Sequence, residues 1–220
     1  MQPYFMPYAG YFRLFAAADL FVIYDCVQFP RRGWVHRNRF TDSNGTLQWL
    51  TLPVEKGAQR TTLIRDLRFR TADLAYWPND MLRFPALQVI LNKNGRLAET
   101  LKNLNTHPVE YIVSGLMTVA QILGIEKPIV FSSSMHISEN IRAQDRIIAI
   151  ARYVGAHDYI NAPGGRALYD PDTFQQHGLR LGFLSNYHGP HTSILERLAT
   201  ETPIEIAREI KAGLSLDWPS

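Results

Sequence analysis

The chain has little cysteine, little net charge and no long apolar run. Cys26 is the single cysteine among 220 residues, so no disulfide can form within the chain, as is usual for proteins from reducing compartments. No apolar stretch approaches the roughly 20 residues that a membrane-spanning helix needs, and no basic segment followed by an apolar one opens the sequence. These absences predict a cytoplasmic protein without a membrane span.

The surplus of positive charge is small. A net charge of +3 falls short of the basic stripe expected of a protein that binds a nucleic-acid duplex. The tight group of cations consists of Arg31, Arg32, Arg37 and Arg39. A group of this size suits one anionic small molecule, so we expect a phosphorylated or nucleotide-linked ligand and no duplex. The sequence identifies no cofactor and predicts no metal site.

Short apolar runs alternate with amphipathic segments along most of the chain. Residues 20–24 are apolar throughout, as in a strand covered on both faces, and a helix is expected just before them at 10–19. Further strands are expected at 46–54, 61–69, 128–131, 157–161 and 179–184, the first two forming an antiparallel hairpin or an edge extension. Further helices are expected at 142–154, capped by Ser138 or Asn140, and at 171–177, 193–199 and 203–212. This alternation predicts an α/β fold with a three-layer, mostly parallel Rossmann-like sheet.

The middle of the chain looks helical rather than alternating. Helices are expected at 72–91, 95–104 and 109–123, with Pro85 kinking or splitting the first of them. We therefore divide the chain into the N-terminal half of an α/β domain (1–72), a helical insert (73–124) and the C-terminal half of the α/β domain (125–220).

The opening segment QPYFMPYAGYF, residues 2–12, cannot form a regular helix because its two prolines remove backbone donors. Its place before a helix and a strand resembles that of the H-x-G-H signature of class I nucleotidyltransferases, with Tyr8 and Tyr11 where the histidines stand. A phenol donates a hydrogen bond but carries no positive charge at neutral pH. Such a turn usually follows a strand. Either a first strand precedes Met1 or another part of the sheet takes its place.

Asp25 follows the apolar run directly. Open α/β sheets bind their ligands at the carboxyl ends of strands, so Asp25 is the first choice for a general base or for positioning a substrate amine. Asp145 and Arg146 form either a surface ion pair or part of the pocket. Cys26 is either a nucleophile or, since no histidine partner is evident, a buried side chain.

Candidate ligand contacts come from three places: the opening turn, the arginine loop and the ends of later strands. Arginines make bidentate bonds to phosphate, Trp34 offers a stacking surface, and glycines after a strand let the backbone approach a ligand. We expect catalytic roles for Asp25, Tyr11 and Asp145. We expect ligand contacts from Gln2, Tyr4, Tyr8, Arg31, Arg32, Trp34, Arg37, Asn38, Arg39, Ser133, Arg146, Asn161, Gly164, Gly165 and Tyr169.

The sequence resembles the WbqC-like family, whose members are associated with O-antigen and other surface-polysaccharide biosynthesis. The resemblance covers nearly the whole chain. It rests on QPYFMPYAGYF, DLFVIYDCVQF, RRGWVHRNR, WLTLPVEKG, DRIIAIARYVGAHDYINAPGGRALYD and TSILERL. In one departure, Cys26 stands where family members often carry a second acid, which argues against a carboxylate pair.

The resemblance implies a transferase that acts on a nucleotide-activated amino sugar, by acyl or aminoacyl transfer. Two alternatives stay open. One is a nucleotidyltransferase-like enzyme with a degenerate H-x-G-H site. The other is a non-catalytic module that binds a nucleotide sugar or recruits a partner enzyme.

Overall fold

The computed structural model describes residues 1–55 and 61–219, and within these ranges strands alternate with helices. The elements in chain order are α1 (Ala9–Ala17), β1 (Phe21–Ile23), β2 (Arg37–Thr41), β3 (Leu47–Thr51), α2 (Trp77–Leu82), α3 (Pro85–Asn92), α4 (Arg96–Lys102), α5 (Pro108–Ile122), β4 (Ile129–Phe131), α6 (Ala143–Tyr153), β5 (Asp158–Asn161), α7 (Pro171–Gln176), β6 (Arg180–Leu184), α8 (Ile194–Thr200), α9 (Pro203–Ala212) and β7 (Leu216–Asp217). The fold is mixed α/β, as the alternating pattern predicts.

The strands form three small sheets. β1 and β4 pair in parallel, with Phe21 beside Ile129 and Ile23 beside Phe131. β5 and β6 also pair in parallel, and β7 adds to β6 in the antiparallel direction. β2 and β3 form an antiparallel hairpin whose turn contains Gly45, with a φ of 76°. Parallel pairing is therefore present, whereas one continuous three-layer sheet stays a prediction.

The predicted partner of β3 is wrong. The described part of segment 61–69 contains a 3-10 turn at Ile64–Asp66 and two isolated bridges rather than a strand. β3 pairs instead with β2, whose first three residues the sequence predicts to belong to a cationic loop at 28–39. The inward-facing side chains of β2 are Asn38, which is 6 % exposed, and Phe40, which is fully buried. Because Asn38 is polar like the outward-facing Arg37 and Arg39, the sequence shows no alternation of apolar and polar residues at 37–39.

Helix ends agree with the sequence where proline or a capping box sets them. Pro85 begins α3, and the side chains of His107 and Glu110 form a capping box at α5. The predicted cap of α6 is wrong, since its N-cap is Arg142, which makes no side-chain cap bond. Ser138 and Asn140 bond to each other within the preceding loop instead.

One large apolar cluster unites most of the chain. It includes side chains from α1, β1, the β2–β3 hairpin, α3, α5, α8 and α9. A smaller cluster lies between α6, α7 and β6. In the large cluster the rings of Phe15 and Phe21 stack with centroids 4.0 Å apart, which fixes α1 against β1. The helical segment shares this cluster with the N-terminal elements, and the three-part domain division stays a prediction.

Within residues 1–55 and 61–219, no helix combines the length and apolar character needed to cross a membrane.

Candidate functional site

Asp25 lies just past the carboxyl end of β1, beside the 3-10 turn Ser132–Ser134 that follows β4. The two strands are parallel, so their carboxyl ends meet at one edge. Ser132 Oγ donates to Asp25 Oδ1 at 2.8 Å, and the Ser133 backbone N–H donates to the same oxygen at 2.9 Å. Ser133 Oγ donates to Asp25 Oδ2 at 2.5 Å. Asp25 is 2 % exposed, so these three donors take the place of water.

Cys26 and Arg146 extend this arrangement. The Nε of Arg146 donates to the Cys26 sulfur at 3.1 Å, and that sulfur lies 2.9 Å from Ser132 Oγ. The Nη1 of Arg146 donates to the Ser138 and Ile141 carbonyl oxygens at 3.0 and 3.3 Å. A buried guanidinium thereby holds α6 and its preceding loop against the thiol. We call Asp25, Cys26, Ser132, Ser133 and Arg146 the strand-end cluster.

Ser133 is the solvent-facing member of the strand-end cluster. It is exposed, whereas Asp25 and Ser132 are buried. Its hydroxyl hydrogen is engaged with Asp25, which leaves oxygen lone pairs free to accept a hydrogen bond from a ligand. Ser133 and Asp25 can therefore relay a proton from a bound group, through the Ser133 hydroxyl, to the buried Asp25 carboxylate.

Three tyrosines lie beside the cluster. Burial raises the pKa of Tyr24, the nearby Cys26 and Tyr169 raise it further, and Arg146 acts in the opposite direction. Burial also raises the pKa of Tyr159 well above its ordinary value, helped by Tyr169. Tyr24 and Tyr159 are therefore neutral hydrogen-bonding groups at physiological pH.

The residues after β5 form a tight, preorganised turn. Asn161 Oδ1 accepts a hydrogen bond from the Ala162 backbone N–H at 2.8 Å. A Cβ atom at Gly165 would lie against the Asn161 side-chain amide, which would have to move to make room for it. Gly164 is exposed and borders open space. The segment after β5 continues as a 3-10 helix, Pro163–Leu168, in which the exposed Gly164 leaves the backbone accessible.

The opening turn and the arginine loop are direct neighbours. The Phe5 backbone N–H donates to the Trp34 carbonyl oxygen at 2.9 Å. The Asn38 side chain donates to the carbonyl oxygens of Phe5 and Met6 at 3.1 and 2.5 Å. Asn38 therefore holds the two segments together, and its amide is engaged in that structural role.

The arginines of the loop gather on the outer face of the hairpin. Side chains alternate along a strand, so Arg37 and Arg39 point away from the face that Asn38 occupies. The Arg37 guanidinium lies 4.1 Å from the Trp49 ring centroid, and that of Arg39 lies 5.7 Å from the Trp34 ring centroid. Both tryptophans are 39 % exposed. This outer face presents cations and aromatic rings together, and Arg31 and Arg32 are exposed at the turn leading to it.

Comparison with known proteins identifies the family. The model of the WbqC-like protein family matches residues 2–193. The chain belongs to the WbqC-like protein family. A curated relative from Mycobacterium tuberculosis (strain ATCC 25618 / H37Rv), the uncharacterized protein Rv1507c, is 27% identical over 184 residues, which are 82% of this chain and 78% of the relative. No solved structure matches the chain.

Several residues of the opening turn have structural partners in this WbqC-like chain. Tyr11 is 3 % exposed and its hydroxyl donates to the Gln2 carbonyl oxygen at 2.9 Å. Burial raises its pKa far above the ordinary value. The ring of Tyr4 packs on that of Tyr11. Tyr8 is partly exposed and lies 4.8 Å, between ring centroids, from His191. Tyr8 is therefore better placed than Tyr11 to meet a ligand.

Asp145 and Arg146 point in different directions. Asp145 is exposed in the first turn of α6, whereas Arg146 is buried in the strand-end cluster. Consecutive helical residues lie about 100° apart around the helix axis, which explains the split. The sequence places Ser132 in a serine run after a predicted strand, as a possible phosphate contact, but does not predict its bond to Asp25.

Asn38→Ala should destabilise the protein, because it removes the amide that donates to the carbonyl oxygens of Phe5 and Met6, of which the Met6 oxygen keeps only the bond from Ser193 Oγ. We expect the free energy of unfolding to fall by about 2 kcal/mol, the cost of losing these buried hydrogen bonds. Urea denaturation would measure it. The matched control, Asn44→Ala at the exposed hairpin turn, should change the value by less than about 0.5 kcal/mol. Equal effects of the two substitutions would contradict the assigned role of Asn38.

Proposed function

We propose that this chain is a transferase for a nucleotide-linked amino sugar or a similar phosphorylated small molecule in polysaccharide or natural-product biosynthesis. The reaction would be acyl or aminoacyl transfer in the cytoplasm, on a Rossmann-like three-layer scaffold. One observation carries the proposal: a buried carboxylate bonded to an exposed serine hydroxyl at the carboxyl ends of two parallel strands. Amine acylation requires a group that removes a proton from the attacking nitrogen.

The proposed chemistry follows from this geometry. The substrate amine attacks the carbonyl carbon of an acyl thioester, the new C–N bond forms, and the C–S bond breaks to release a thiolate. The amine proton passes to Ser133 Oγ as Ser133 gives its own proton to Asp25 Oδ2. Asp25 later returns the proton through the same hydroxyl to the departing thiolate. Arg146 acts as a positioning residue, since its Nε and Nη1 already bond to Cys26 and to the loop before α6.

The remaining residues suit the non-reacting parts of such a substrate. Tyr24 and Asn161 lie at the strand ends, Tyr169 follows the 3-10 helix after β5, and all three offer hydrogen-bonding groups for sugar hydroxyls. Arg39 and the exposed Trp34 ring offer a guanidinium and an aromatic face, a combination that suits phosphate and a nucleotide base. The two regions are linked through the opening turn, whose backbone contacts the Trp34 carbonyl oxygen.

A two-stage experiment tests the proposal. UDP-linked and dTDP-linked amino sugars are first screened for a thermal shift, with the corresponding sugars lacking an amine as matched ligands. Binders are then incubated with acyl-coenzyme A thioesters and the products are weighed by mass spectrometry. We expect Ser133→Ala to keep the thermal shift and to lose product formation by about 100-fold. We expect Arg39→Ala to reduce the shift, and Arg152→Ala, at an exposed position of α6, to leave it unchanged.

The same experiment distinguishes the alternatives. A nucleotidyltransferase would release pyrophosphate from a nucleoside triphosphate in a Mg²⁺-dependent reaction. A non-catalytic module would give a thermal shift without any product, and Asp25→Asn would not alter its binding. A wild-type rate for Ser133→Ala would overturn the proton relay.

A further inference from the structure

β3 is the exposed edge of a two-stranded sheet. It pairs with β2 through consecutive residue pairs from Arg37–Thr51 to Thr41–Leu47, and this register contains no bulge. Among residues 1–55 and 61–219, no further named strand pairs with β3. With the threonine before it, β3 reads TLQWLT, which contains no charged residue, no proline and no glycine. Proteins usually protect a strand edge with a charge, a proline or a bulge, so this unprotected edge is suited to pairing with another strand.

The register of the hairpin determines which backbone groups point to the open edge of β3. The Leu52 N–H donates to the His36 carbonyl oxygen at 2.7 Å, on the side of β2. In an antiparallel ladder the bonded pairs recur at every second residue, so the backbone groups of Leu50 and Gln48 also face β2. The N–H and C=O groups that point away from β2 are those of Leu47, Trp49 and Thr51. Within the described ranges, none of these three N–H groups donates to a residue of another segment.

The side chains beside the open edge are exposed, and two of them are large and apolar. On the outer face of the hairpin, Leu47 is 50 % exposed and Trp49 is 39 % exposed. Thr51 is exposed on the same face, whereas Leu50, which alternates with them, is buried on the inner face. A strand that paired here would satisfy the backbone groups of the edge and would also remove apolar surface from water, which favours pairing.

We propose that β3 binds β3 of a second copy of this chain as an antiparallel strand. The two-fold axis passes beside Trp49, so that Trp49 lies opposite Trp49 of the partner subunit and Leu47 lies opposite Thr51 of the partner subunit. The three residues with outward backbone groups then meet the same three residues of the other copy, and each opposed pair exchanges two N–H···O bonds. The interface is isologous, as in most homodimers, and the two hairpins become one four-stranded sheet.

The distribution of charge favours a second copy over an acidic partner. β3 is uncharged, so two copies of it meet without repulsion, whereas an acidic strand would place carboxylates beside the apolar Leu47 and Trp49. The guanidinium groups of Arg37 and Arg39 belong to β2 and already lie 4.1 and 5.7 Å from the Trp49 ring centroid.

The arginines of the two copies do not oppose the pairing strongly. In the four-stranded sheet the two β2 strands are three strand spacings apart, about 14 Å. This separation exceeds the Debye length of about 8 Å at physiological ionic strength, so salt screens most of the repulsion between Arg39 of one copy and Arg39 of the partner subunit.

Sedimentation velocity of the full chain, over a series of protein concentrations, measures the proposed dimer. One strand pair is a small interface, so we expect a Kd of about 10 μM. Two double variants then test the register. Leu47→Lys with Thr51→Lys places like charges opposite each other, and should raise Kd at least about tenfold relative to Leu47→Lys with Thr51→Glu, which places opposite charges there. Val89→Lys, which removes an exposed apolar side chain from α3, should leave Kd unchanged.

Amide hydrogen exchange gives a second readout at single residues. The Leu47, Trp49 and Thr51 amides should exchange about threefold or more slowly at a protein concentration well above Kd than at one well below it, because their bonds form only in the dimer. The Leu50 amide is the matched control, since β2 already bonds it in the single chain, and its exchange should change little.

Three outcomes would overturn the proposal. The first is a chain that stays monomeric at the highest concentration. The second is an equal Kd for the two double variants, which would place the dimer contact elsewhere. The third is a monomer whose Trp49 amide is protected by a glutamate-rich peptide, which would assign the edge to an acidic partner instead. None of these readouts depends on transferase activity, so the result is independent of the proposed function.

Discussion

Asp25→Ala should lower the free energy of unfolding by about 3 kcal/mol, because three donors lose their acceptor at once. The Ser132 hydroxyl and the Ser133 N–H and hydroxyl all point at this carboxylate. Ser132 is fully buried, so water cannot readily replace the lost bonds. For a chain of this size, 3 kcal/mol corresponds to a fall in Tm of about 6–12 °C, which calorimetry would measure.

Asp25→Asn separates the structural contribution from the chemical one. The amide keeps the shape and one acceptor oxygen, so we expect a smaller loss of stability, about 1–2 kcal/mol. It cannot take a proton, so product formation should fall as far as it does in Ser133→Ala. The control is Asp19→Asn, because Asp19 is exposed and should change neither quantity. Normal turnover in a folded Asp25→Asn protein would show that Asp25 serves the fold alone.

The sequence predicts those parts of the site that follow from local order along the chain. An apolar run followed by an acid predicts that Asp25 lies at a strand end, and Ser133 is predicted as a ligand contact close after the strand expected at 128–131. The bond between them joins residues 107 positions apart in the chain. No local pattern encodes it, because it depends on β1 and β4 becoming parallel neighbours.

The sequence does not show which of the charged and polar side chains are buried and which are exposed. The sequence treats Arg37, Asn38 and Arg39 as one polar loop, yet Asn38 faces inward and the arginines outward, because a strand alternates its side chains. Arg146 is buried and bonds to a thiol, an arrangement that only the packing of α6 produces.

Arg197→Met should also be strongly destabilising, by about 3 kcal/mol, because it breaks an ion-pair network around a buried guanidinium. Arg197 is 5 % exposed. Its Nε donates to Glu201 at 2.7 Å, and its Nη2 donates to Glu209 at 2.7 Å. The bond to Glu209 joins α8 to α9, and the bond to Glu201 closes the end of α8. Tyr187 also donates to Glu209, at 2.7 Å, and its ring contacts that of Tyr8 with centroids 5.4 Å apart. The network therefore also supports the opening turn.

The contribution of the Arg197 ion pairs to stability should depend on pH. Burial raises the pKa of Glu209, but hydrogen bonds from Arg197 and Tyr187 outweigh burial and lower this pKa below its ordinary value. A carboxyl group whose pKa is lower in the folded state stabilises the protein above the pKa of the unfolded chain, and this contribution is lost as pH falls. Wild-type stability should therefore decline more steeply than that of Arg197→Met as the pH falls below about 4.5. Chemical denaturation at several pH values would measure both slopes.

The exposed Arg208→Met variant is the control and should retain the wild-type slope. If the stability of Arg197→Met declined with falling pH in parallel with that of the wild type, the ion pairs would contribute nothing to stability.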